Sequence, residues 1–396
     1  MSLITTTPLT FSPSDAVMRI VAASRRAQQP QSSADLVSLA MGEPDFDTPA
    51  QVVEAAIESL QSGRTHYSPL LGEVVLREEL ASRIGEISGE SASPEDVLIT
   101  QGGTAGLAAS ILSIVNPGDR VVIPDPTYSL YADLVSMAGG IVVPVPVASD
   151  LHWDLDRLRD ALRGAKLFAF CNPVNPTGIV HRRGELEALA EMLQGSGTIV
   201  LSDEAYADLD YTGVPFTSAI EIPGLSERVV YCQTFSKSYA MTGWRVGYLW
   251  GRHPLIQAAA RIHNTFNGSV NTAVQDAALV ALRTADGDVA RMRAVYERRG
   301  ELMRSALAEI EGLELSTVEG AFYQFPRYDV DVPSVELVSY LRERGVAVRP
   351  GAEFGSNGEN HLRLSYAAGD DAIVTGVERL RVGLEELRAS AGSLGR

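Results

Sequence analysis

The chain has 396 residues, of which 45% are hydrophobic and 21% are charged, and its formal net charge is −17 at pH 7. This composition is typical of a globular protein, and the length predicts two or three domains. The acidity disfavours nucleic acid and anionic membranes as partners, because both are bound through basic surfaces.

The first residues lack a basic segment followed by an apolar run, so we predict no signal peptide, and no apolar stretch approaches the length of a membrane span. The two cysteines, Cys171 and Cys232, lie in apolar runs and form no CxxC pair. The six histidines show no metal-ligand spacing. We therefore predict two buried free thiols, a cytoplasmic location and no metal.

Strands and helices are predicted to alternate from about residue 49 to residue 279. The first helix is predicted over Thr48–Gly63, with Thr48 as its cap and Pro49 in its first turn. Helical patterns also cover Thr104–Ile114 and Glu185–Leu193. Seven apolar runs predict strands, namely Val97–Thr100, Arg120–Ile123, Ile141–Val147, Lys166–Cys171, Thr198–Leu201, Val229–Cys232 and Val246–Trp250. This alternation predicts a mostly parallel sheet with helices on both faces.

The pattern changes after about Asp286. A long charged helix is predicted around Val289–Gly312 and a shorter one near Ser334–Arg344, with short apolar runs between and after them. This is typical of a smaller α+β domain, which we expect residues 1–45 to join because their apolar patches are too few to fold alone. We therefore predict a large α/β domain over residues 46–285 and a small α+β domain formed by residues 1–45 and 286–396.

Polar residues follow several predicted strands, at the edge where open α/β sheets bind their ligands. The loop Gln101–Gly106 combines glycines with the start of a helix, which suits a phosphate, although an ordinary turn explains it equally well. It is neither the dinucleotide fingerprint nor a P-loop, which disfavours a nicotinamide oxidoreductase. Asn175 can offer its amide to a ring hydroxyl. Asp203 stands where a carboxylate can be solvated, cap a helix or keep a heteroaromatic nitrogen protonated.

Lys237 lies in the segment Thr234–Arg245, which follows the predicted strand Val229–Cys232. Lysine and arginine together number 33, yet Lys166 and Lys237 are the only lysines. Arginine cannot form a Schiff base at neutral pH, so a lysine kept for chemistry stands out here, although codon bias also explains a chain with two lysines. The hydroxyls beside Lys237 and the guanidinium of Arg245 suit a phosphate dianion.

The chain contains four motifs, namely GEPDFDTP (Gly42–Pro49), NPVNPTG, DEAY and TFSKSYAMTGWRVGY. Together they resemble the class I/II aminotransferases, in particular their aspartate-aminotransferase-like branch. The resemblance covers nearly the whole chain in the order and spacing of that family, whose members are fold-type-I enzymes dependent on pyridoxal 5′-phosphate (PLP). It implies an α/β fold whose large domain has a mostly parallel seven-stranded sheet flanked by helices, plus a smaller α+β domain. It also implies a homodimer that acts on amino acids and 2-oxo acids.

The resemblance implies a role for each matched residue. Lys237 would be the Schiff-base lysine and general base, so that an L-amino acid passes its amino group to a 2-oxo acid through a Lys237 aldimine by a ping-pong mechanism. Asp203 would hold the pyridine nitrogen, and Tyr206 with Asn175 the ring 3-hydroxyl. The remaining matches are Tyr128 stacked on the ring, Gly103, Thr104, Thr234, Ser236 and Arg245 at the phosphate, Tyr67 at the phosphate of the neighbouring subunit, and Gly42, Asn175 and Arg363 at the substrate.

Strand alternation supports the role of Arg363 independently of the resemblance. Leu362, Leu364 and Tyr366 would share one face of a strand, which leaves Arg363 on the other face. Arg363 can then bind the α-carboxylate of a substrate. An isolated surface arginine is the alternative interpretation.

Three hypotheses about the reaction stay open, because the same scaffold supports several chemistries. The chain can be an aminotransferase, a PLP-dependent C–S β-lyase or other eliminating or synthase enzyme, or a non-catalytic binding protein that keeps the fold. The donor is open too, since Thr104 stands where some aspartate-specific members carry a lysine, and an apolar or aromatic donor is credible. Arg19, His66 and Arg261 are the other candidate cations for a distal carboxylate. We expect the loop Ile262–Asn271 to reach the partner's site.

Overall fold

The computed structural model describes residues 14, 15, 17–19 and 35–394, with side chains up to residue 390. Fourteen strands are present in this part of the chain. They are β1 (Val37–Ser38), β2 (Val97–Thr100), β3 (Arg120–Asp125), β4 (Ile141–Pro146), β5 (Leu167–Cys171), β6 (Ile199–Asp203), β7 (Val229–Thr234), β8 (Gly247–Gly251), β9 (Leu313–Glu314), β10 (Tyr323–Gln324), β11 (Arg327–Tyr328), β12 (Val346–Ala347), β13 (Arg349–Pro350) and β14 (Leu362–Ser365).

The main sheet has seven strands in the order β2-β8-β7-β6-β5-β3-β4. Only β8 runs antiparallel to its two neighbours, and the other pairings are parallel. All seven predicted strands are therefore confirmed, as is the mostly parallel sheet. Because parallel sheets are covered on both faces, their strands are apolar throughout, and every residue of β5 is buried.

Twelve α-helices accompany the strands within residues 35–394. They are α1 (Ala50–Gln61), α2 (Val74–Ser88), α3 (Gly102–Ile114), α4 (Leu130–Ala138), α5 (Leu155–Ala161), α6 (Arg183–Met192), α7 (Phe235–Ser238), α8 (His253–Asn267), α9 (Thr272–Thr284), α10 (Asp286–Ala308), α11 (Ser334–Glu343) and α12 (Asp370–Leu394). Short 3₁₀ turns lie at Pro94–Asp96, Ala219–Glu221, Gly351–Phe354 and Ser356–Gly358.

Two apolar clusters cover the two faces of the main sheet. In β5, Ala169 and Cys171 belong to one cluster and Phe168 and Phe170 to the other, because successive side chains of a strand point to opposite faces. The first cluster includes residues of α3, α4 and α8 and continues into α10, α11 and α12. The second includes residues of α2, α6 and α9. The sheet is thus held between helical layers, as the alternating pattern predicted.

Smaller sheets lie in the C-terminal part of the chain. β10, β14 and β13 form a three-stranded antiparallel sheet, β9 pairs with β11, and β1 pairs with β12. In this part Arg349 on β13 lies directly opposite Arg363 on β14.

The carboxyl ends of β2, β5, β6 and β7 lie at the same edge of the sheet. Cys171 at the end of β5 is level with Asp203 at the end of β6, and Thr234 at the end of β7 is level with Gly247. Gly247 is also level with Thr100, which ends β2. The motifs that follow these strands in the sequence are therefore brought together in space.

Two local predictions were wrong. Thr48 does not cap the first helix, which begins at Ala50, because its hydroxyl donates a 2.7 Å hydrogen bond to Ala240 O and accepts one from Trp244 Nε1. The segment Ile262–Asn271 is not a loop over most of its length, since α8 continues to Asn267 and ends where Gly268 takes a φ of 67°. Within the described residues, no helix is long and apolar enough to cross a bilayer.

Candidate active site

A cavity of about 460 Å³ opens at the carboxyl edge of the sheet, between the central strands and the C-terminal elements. It is lined by every matched residue except Tyr67. These residues are Gly42, Gly103, Thr104, Tyr128, Asn175, Asp203, Tyr206, Thr234, Ser236, Lys237, Arg245 and Arg363. Residues that are spread over most of the sequence thus meet around one space, which makes it the candidate active site.

Lys237 lies in the single turn α7, which begins directly after β7 because the Thr234 hydroxyl accepts a hydrogen bond from Ser236 N. Its Nζ donates a 2.5 Å hydrogen bond to Gly42 O. Burial lowers the pKa of Lys237 to about 8, and the nearby guanidiniums of Arg363 and Arg245 act in the same direction. The amine can therefore lose its proton close to neutral pH.

Asp203 ends β6 and has only 5% of its surface exposed. Its Oδ2 accepts a 2.8 Å hydrogen bond from the Tyr131 hydroxyl, and its Oδ1 accepts one from Ala205 N. Burial raises the pKa of Asp203 to about 6, and the hydrogen bond from Tyr131 opposes that rise. A cationic group placed in the cavity would favour the ionised carboxylate. The site thus fits a protonated heteroaromatic nitrogen.

Arg363 projects from β14 into the cavity and is held by two hydrogen bonds. Its Nη1 donates to Asn175 Oδ1 at 2.9 Å and its Nη2 to Ala40 O at 2.7 Å. The guanidinium also lies between two aromatic rings, 4.4 Å from the ring centre of Tyr323 and 4.9 Å from that of Phe354. Its buried Nε has no partner among the described residues. A fixed guanidinium of this kind suits the planar carboxylate of a ligand.

Tyr206 is also tied to Tyr323, because the two hydroxyls share a 2.8 Å hydrogen bond. Tyr323 in turn limits what can stand at position 42. A Cβ at Gly42 would lie 2.1 Å from Tyr323 Oη, so any larger residue would push the tyrosine or the strand that carries it. Gly42 therefore keeps the wall of the cavity close to the Lys237 amine.

A cradle for a phosphate forms where the start of α3 meets α7. Thr234 Oγ1 donates to Ser236 Oγ at 2.9 Å, and Arg245 reaches the same end of the cavity. Gly102 has a φ of 76°, and a Cβ there would lie 2.8 Å from Arg245 Nη2. Glycine thus allows the guanidinium to lie against the loop. The helix start, two hydroxyls and an arginine fit a phosphate dianion.

The cavity as a whole fits PLP. It offers a lysine amine for the aldehyde, a buried carboxylate for the ring nitrogen and a cationic, hydroxyl-lined end for the phosphate. Tyr128 stands at the wall, with its ring edge-on to that of Tyr131 at 5.7 Å between ring centres.

Some sequence-predicted residues lie elsewhere. Tyr67 is 97% exposed and lies outside this cavity. The three candidate cations, Arg19, His66 and Arg261, do not line it either, and Arg19 Nε donates to Ser136 O. None of these three is thus placed to contact a ligand in the cavity of its own chain.

The sequence analysis missed several residues at the site, among them Tyr131, Tyr323, Arg349, Glu353 and Phe354. Tyr131 had a usable signal, because it lies only three residues after Tyr128, at the start of the helix that follows it. Arg349 and Glu353 had none, because their place at the cavity depends on the register between β13 and β14.

The chain is similar to known proteins over most of its length. The sequence profile of the family described as aminotransferase class I and II matches residues 34–377. An aspartate aminotransferase from Streptomyces avermitilis is 35% identical over 371 residues, which cover 89% of this chain and 90% of the relative.

Two solved structures have the same fold. The aromatic aminotransferase from Pyrococcus horikoshii superposes with a TM-score of 0.87 at 32% identity and covers 94% of this chain and 99% of its own. The aspartate aminotransferase from Thermus thermophilus with maleate gives a TM-score of 0.84 at 33% identity and covers 94% of this chain and 97% of its own. The predicted fold type is thereby confirmed.

Proposed function

This chain belongs to the class I and II aminotransferases, which use PLP to move amino groups, and we propose that Lys237 is the residue to which the cofactor attaches. The observation that carries this assignment is that the Lys237 amine and the Asp203 carboxylate line the same cavity. Lys166, the other lysine of the chain, does not line it. When bound, PLP supplies the electron sink that makes the α-proton of an amino acid removable.

Lys237 is proposed to move that proton. Its pKa of about 8 leaves part of the amine neutral near pH 7, and a neutral amine can accept a proton. The hydrogen bond to Gly42 O fixes Nζ at the wall of the cavity. Gly42 is therefore assigned to positioning of the amine and to contact with the substrate.

The cofactor ring is proposed to be held by residues of three successive strand ends. Asp203 pairs with the ring nitrogen, Asn175 and Tyr206 with the 3-hydroxyl, and Tyr128 stacks on the ring. Gly103, Thr104, Thr234, Ser236 and Arg245 bind the phosphate. The support for these roles is that all of these side chains and glycines line one cavity of suitable donor chemistry.

Arg363 is proposed to bind the α-carboxylate of the amino donor and of the 2-oxo acid. Every substrate of an aminotransferase carries this group, so its partner has to be a permanent cation in a fixed position. Arginine stays protonated at physiological pH, and Asn175 and Ala40 O hold this one in place. Asn175 thereby contacts the arginine, the cofactor and the substrate at once.

The active unit is proposed to be a homodimer in which Tyr67 reaches the cofactor phosphate of the partner subunit. Tyr67 is 97% exposed, and large apolar side chains are exposed close to it in the sequence, among them Ile57, Leu60 and Leu70. Phe266, near the end of α8, is 71% exposed. Patches of exposed apolar side chains mark interfaces, and the exposure of these side chains supports association of two copies.

We also propose the domain division expected from the sequence, with residues 46–285 as the large domain and residues 1–45 and 286–396 as the small one. Most of residues 1–34 lie outside the described residues, and with them most of the proposed N-terminal arm. Cys171 and Cys232 are buried and free, as predicted, which supports a reducing, cytoplasmic location.

The function is tested by adding single amino acids to the PLP-loaded protein without any acceptor. A transaminase should release at most one equivalent of 2-oxo acid per active site and leave the cofactor aminated, and a second 2-oxo acid should then restore the original absorbance spectrum. Continuous release of ammonia or of an elimination product without acceptor would instead identify a lyase.

A further inference from the structure

Four cations line the cavity in the described part of the chain, namely Lys237, Arg245, Arg349 and Arg363. The proposed function uses three of them, at the cofactor aldehyde, at the phosphate and at the α-carboxylate. Arg349 has no role in that account. A cation is costly to keep beside two other arginines in a partly enclosed space, so its presence requires an explanation.

Arg349 lies directly opposite Arg363 in the antiparallel pair formed by β13 and β14. Directly opposite residues project from the same face with their Cβ atoms about 5 Å apart, and like charges in such a pair destabilise the sheet. The two guanidiniums therefore enter the same cavity side by side. This is the arrangement needed to bind two anionic groups of one small molecule.

Glu353 offsets the repulsion between the two arginines. Its carboxylate pairs with Arg349 Nη2, and its side chain is only 4% exposed. The pair is nevertheless incomplete, since Arg349 Nε and Glu353 Oε2 are both buried without a hydrogen-bond partner in the described residues. A guanidinium has five N–H donors in a planar fork, so it can serve Glu353 on one edge and a ligand on another.

We infer that Arg349 binds the distal carboxylate of an acidic amino donor, while Arg363 binds its α-carboxylate and Glu353 positions the Arg349 guanidinium. The inference rests on the proposed function and adds the substrate class, a dicarboxylic amino acid and its 2-oxo acid. It also supplies the cation that the sequence analysis sought at Arg19, His66 and Arg261.

The test measures the binding of two anions to the PLP-loaded dimer by calorimetry. Maleate carries two carboxylates, and (Z)-but-2-enoate is the same molecule with one carboxylate replaced by a methyl group. The wild-type protein should bind maleate more tightly. In Arg349→Met the affinity for maleate should fall about 100-fold, because charge-assisted hydrogen bonds are lost, while that for (Z)-but-2-enoate should fall no more than about threefold.

Arg349→Met leaves the buried Glu353 unpaired, which can impair folding. The double variant Arg349→Met/Glu353→Gln removes both charges. Its affinity for maleate should fall as in Arg349→Met, while its affinity for (Z)-but-2-enoate should stay nearly unchanged. Arg327→Met is the matched control, since Arg327 forms an exposed ion pair with Glu314 and does not line the cavity. Steady-state kinetics should show the effect mainly as a raised KM for aspartate and glutamate.

Equal losses for both anions in the double variant, or a wild-type protein with no preference for maleate, would overturn the inference. Either result is distinct from failure of the proposed function. That failure would appear as a wild-type protein that forms no 2-oxo acid from any amino acid.

Discussion

The hydroxyl of Tyr131 donates a 2.8 Å hydrogen bond to Oδ2 of Asp203, and both side chains are buried. The bond joins the first turn of α4 to the end of β6, so the layer of helices fixes the carboxylate that is assigned to the cofactor ring nitrogen. Burial raises the pKa of Asp203, and the hydrogen bond from Tyr131 opposes that rise. In the proposed function, Tyr131 therefore acts on the cofactor through Asp203.

Replacement of Tyr131 by phenylalanine should weaken PLP binding about tenfold, because the carboxylate loses one hydrogen bond in a buried setting. The pKa of the Asp203 carboxylate should rise above about 6, so the acidic limb of the pH profile of kcat/KM should move to higher pH. Cofactor titration and a pH series check both effects. Tyr328→Phe removes a remote hydroxyl that donates to Val332 O and serves as control. Unchanged PLP affinity in Tyr131→Phe would argue against the assignment.

Loss of Arg363 should affect all substrates alike. In Arg363→Ala the KM of every amino donor should rise by about 100-fold or more, because a charge-assisted pair with the shared α-carboxylate is removed. Arg363→Lys should recover only part of this, since a lysine cannot provide the planar fork. A panel of acidic, apolar and aromatic donors provides the comparison. If only one donor class were affected, Arg363 would be recognising a side chain instead.

His152 is expected to stabilise the fold in a pH-dependent way. A 3.0 Å hydrogen bond to Glu185 and a 3.6 Å ion pair with Glu319 raise its pKa from 6.5 to about 10. His152, together with Val180 N and Arg182, lowers the pKa of Glu319 to about 2. The folded state binds the His152 proton more tightly than the unfolded state does. The stability that His152 contributes is therefore fully present below pH 6.5 and is lost as the pH rises through about 10.

Urea unfolding of wild type and His152→Gln over a pH series measures this contribution. The difference in the free energy of unfolding should be largest just below pH 6.5 and should shrink steadily as the pH rises from 6.5 to about 10. His253→Gln, at an exposed histidine paired with Asp96, is the control. A difference that stayed constant or grew with rising pH would contradict the ion-pair network.

Tyr67 and Lys237 are expected to complement each other across two subunits. The protein should sediment at about twice 42.5 kDa. Tyr67→Ala and Lys237→Ala should each lose activity, and Tyr67→Ala should do so because its affinity for PLP is lower. A hybrid dimer of the two variants contains one site with both an intact lysine and an intact partner tyrosine. Mixed dimers should therefore recover activity, whereas no recovery would mean that Tyr67 acts within its own chain or not at all.

The parts of the site that follow strands could be predicted from the sequence. Asp203, Asn175 and Lys237 follow apolar runs within a few residues, and the carboxyl ends of neighbouring strands meet at one edge whatever the details of packing. These residues needed only the strand pattern and the local motif.

The parts that depend on long-range contacts could not be predicted. Arg349 reaches the cavity only because β13 pairs with β14 in one particular register, and no local pattern fixes that register. Thr48 was expected to cap a helix, but its hydroxyl bonds to Ala240, 192 residues further along the chain. In both cases tertiary contacts decide the role of the side chain, and a short sequence window does not contain them.

The most direct test of the account is to identify the residue that holds the cofactor. The PLP-loaded protein is reduced with borohydride, which makes the attachment permanent, and its peptides are then analysed by mass spectrometry. The cofactor mass should be found on the peptide that contains Lys237, and the peptide that contains Lys166 should be unmodified. Modification of Lys166, or of neither lysine, would contradict the assignment of Lys237 and the mechanism built on it.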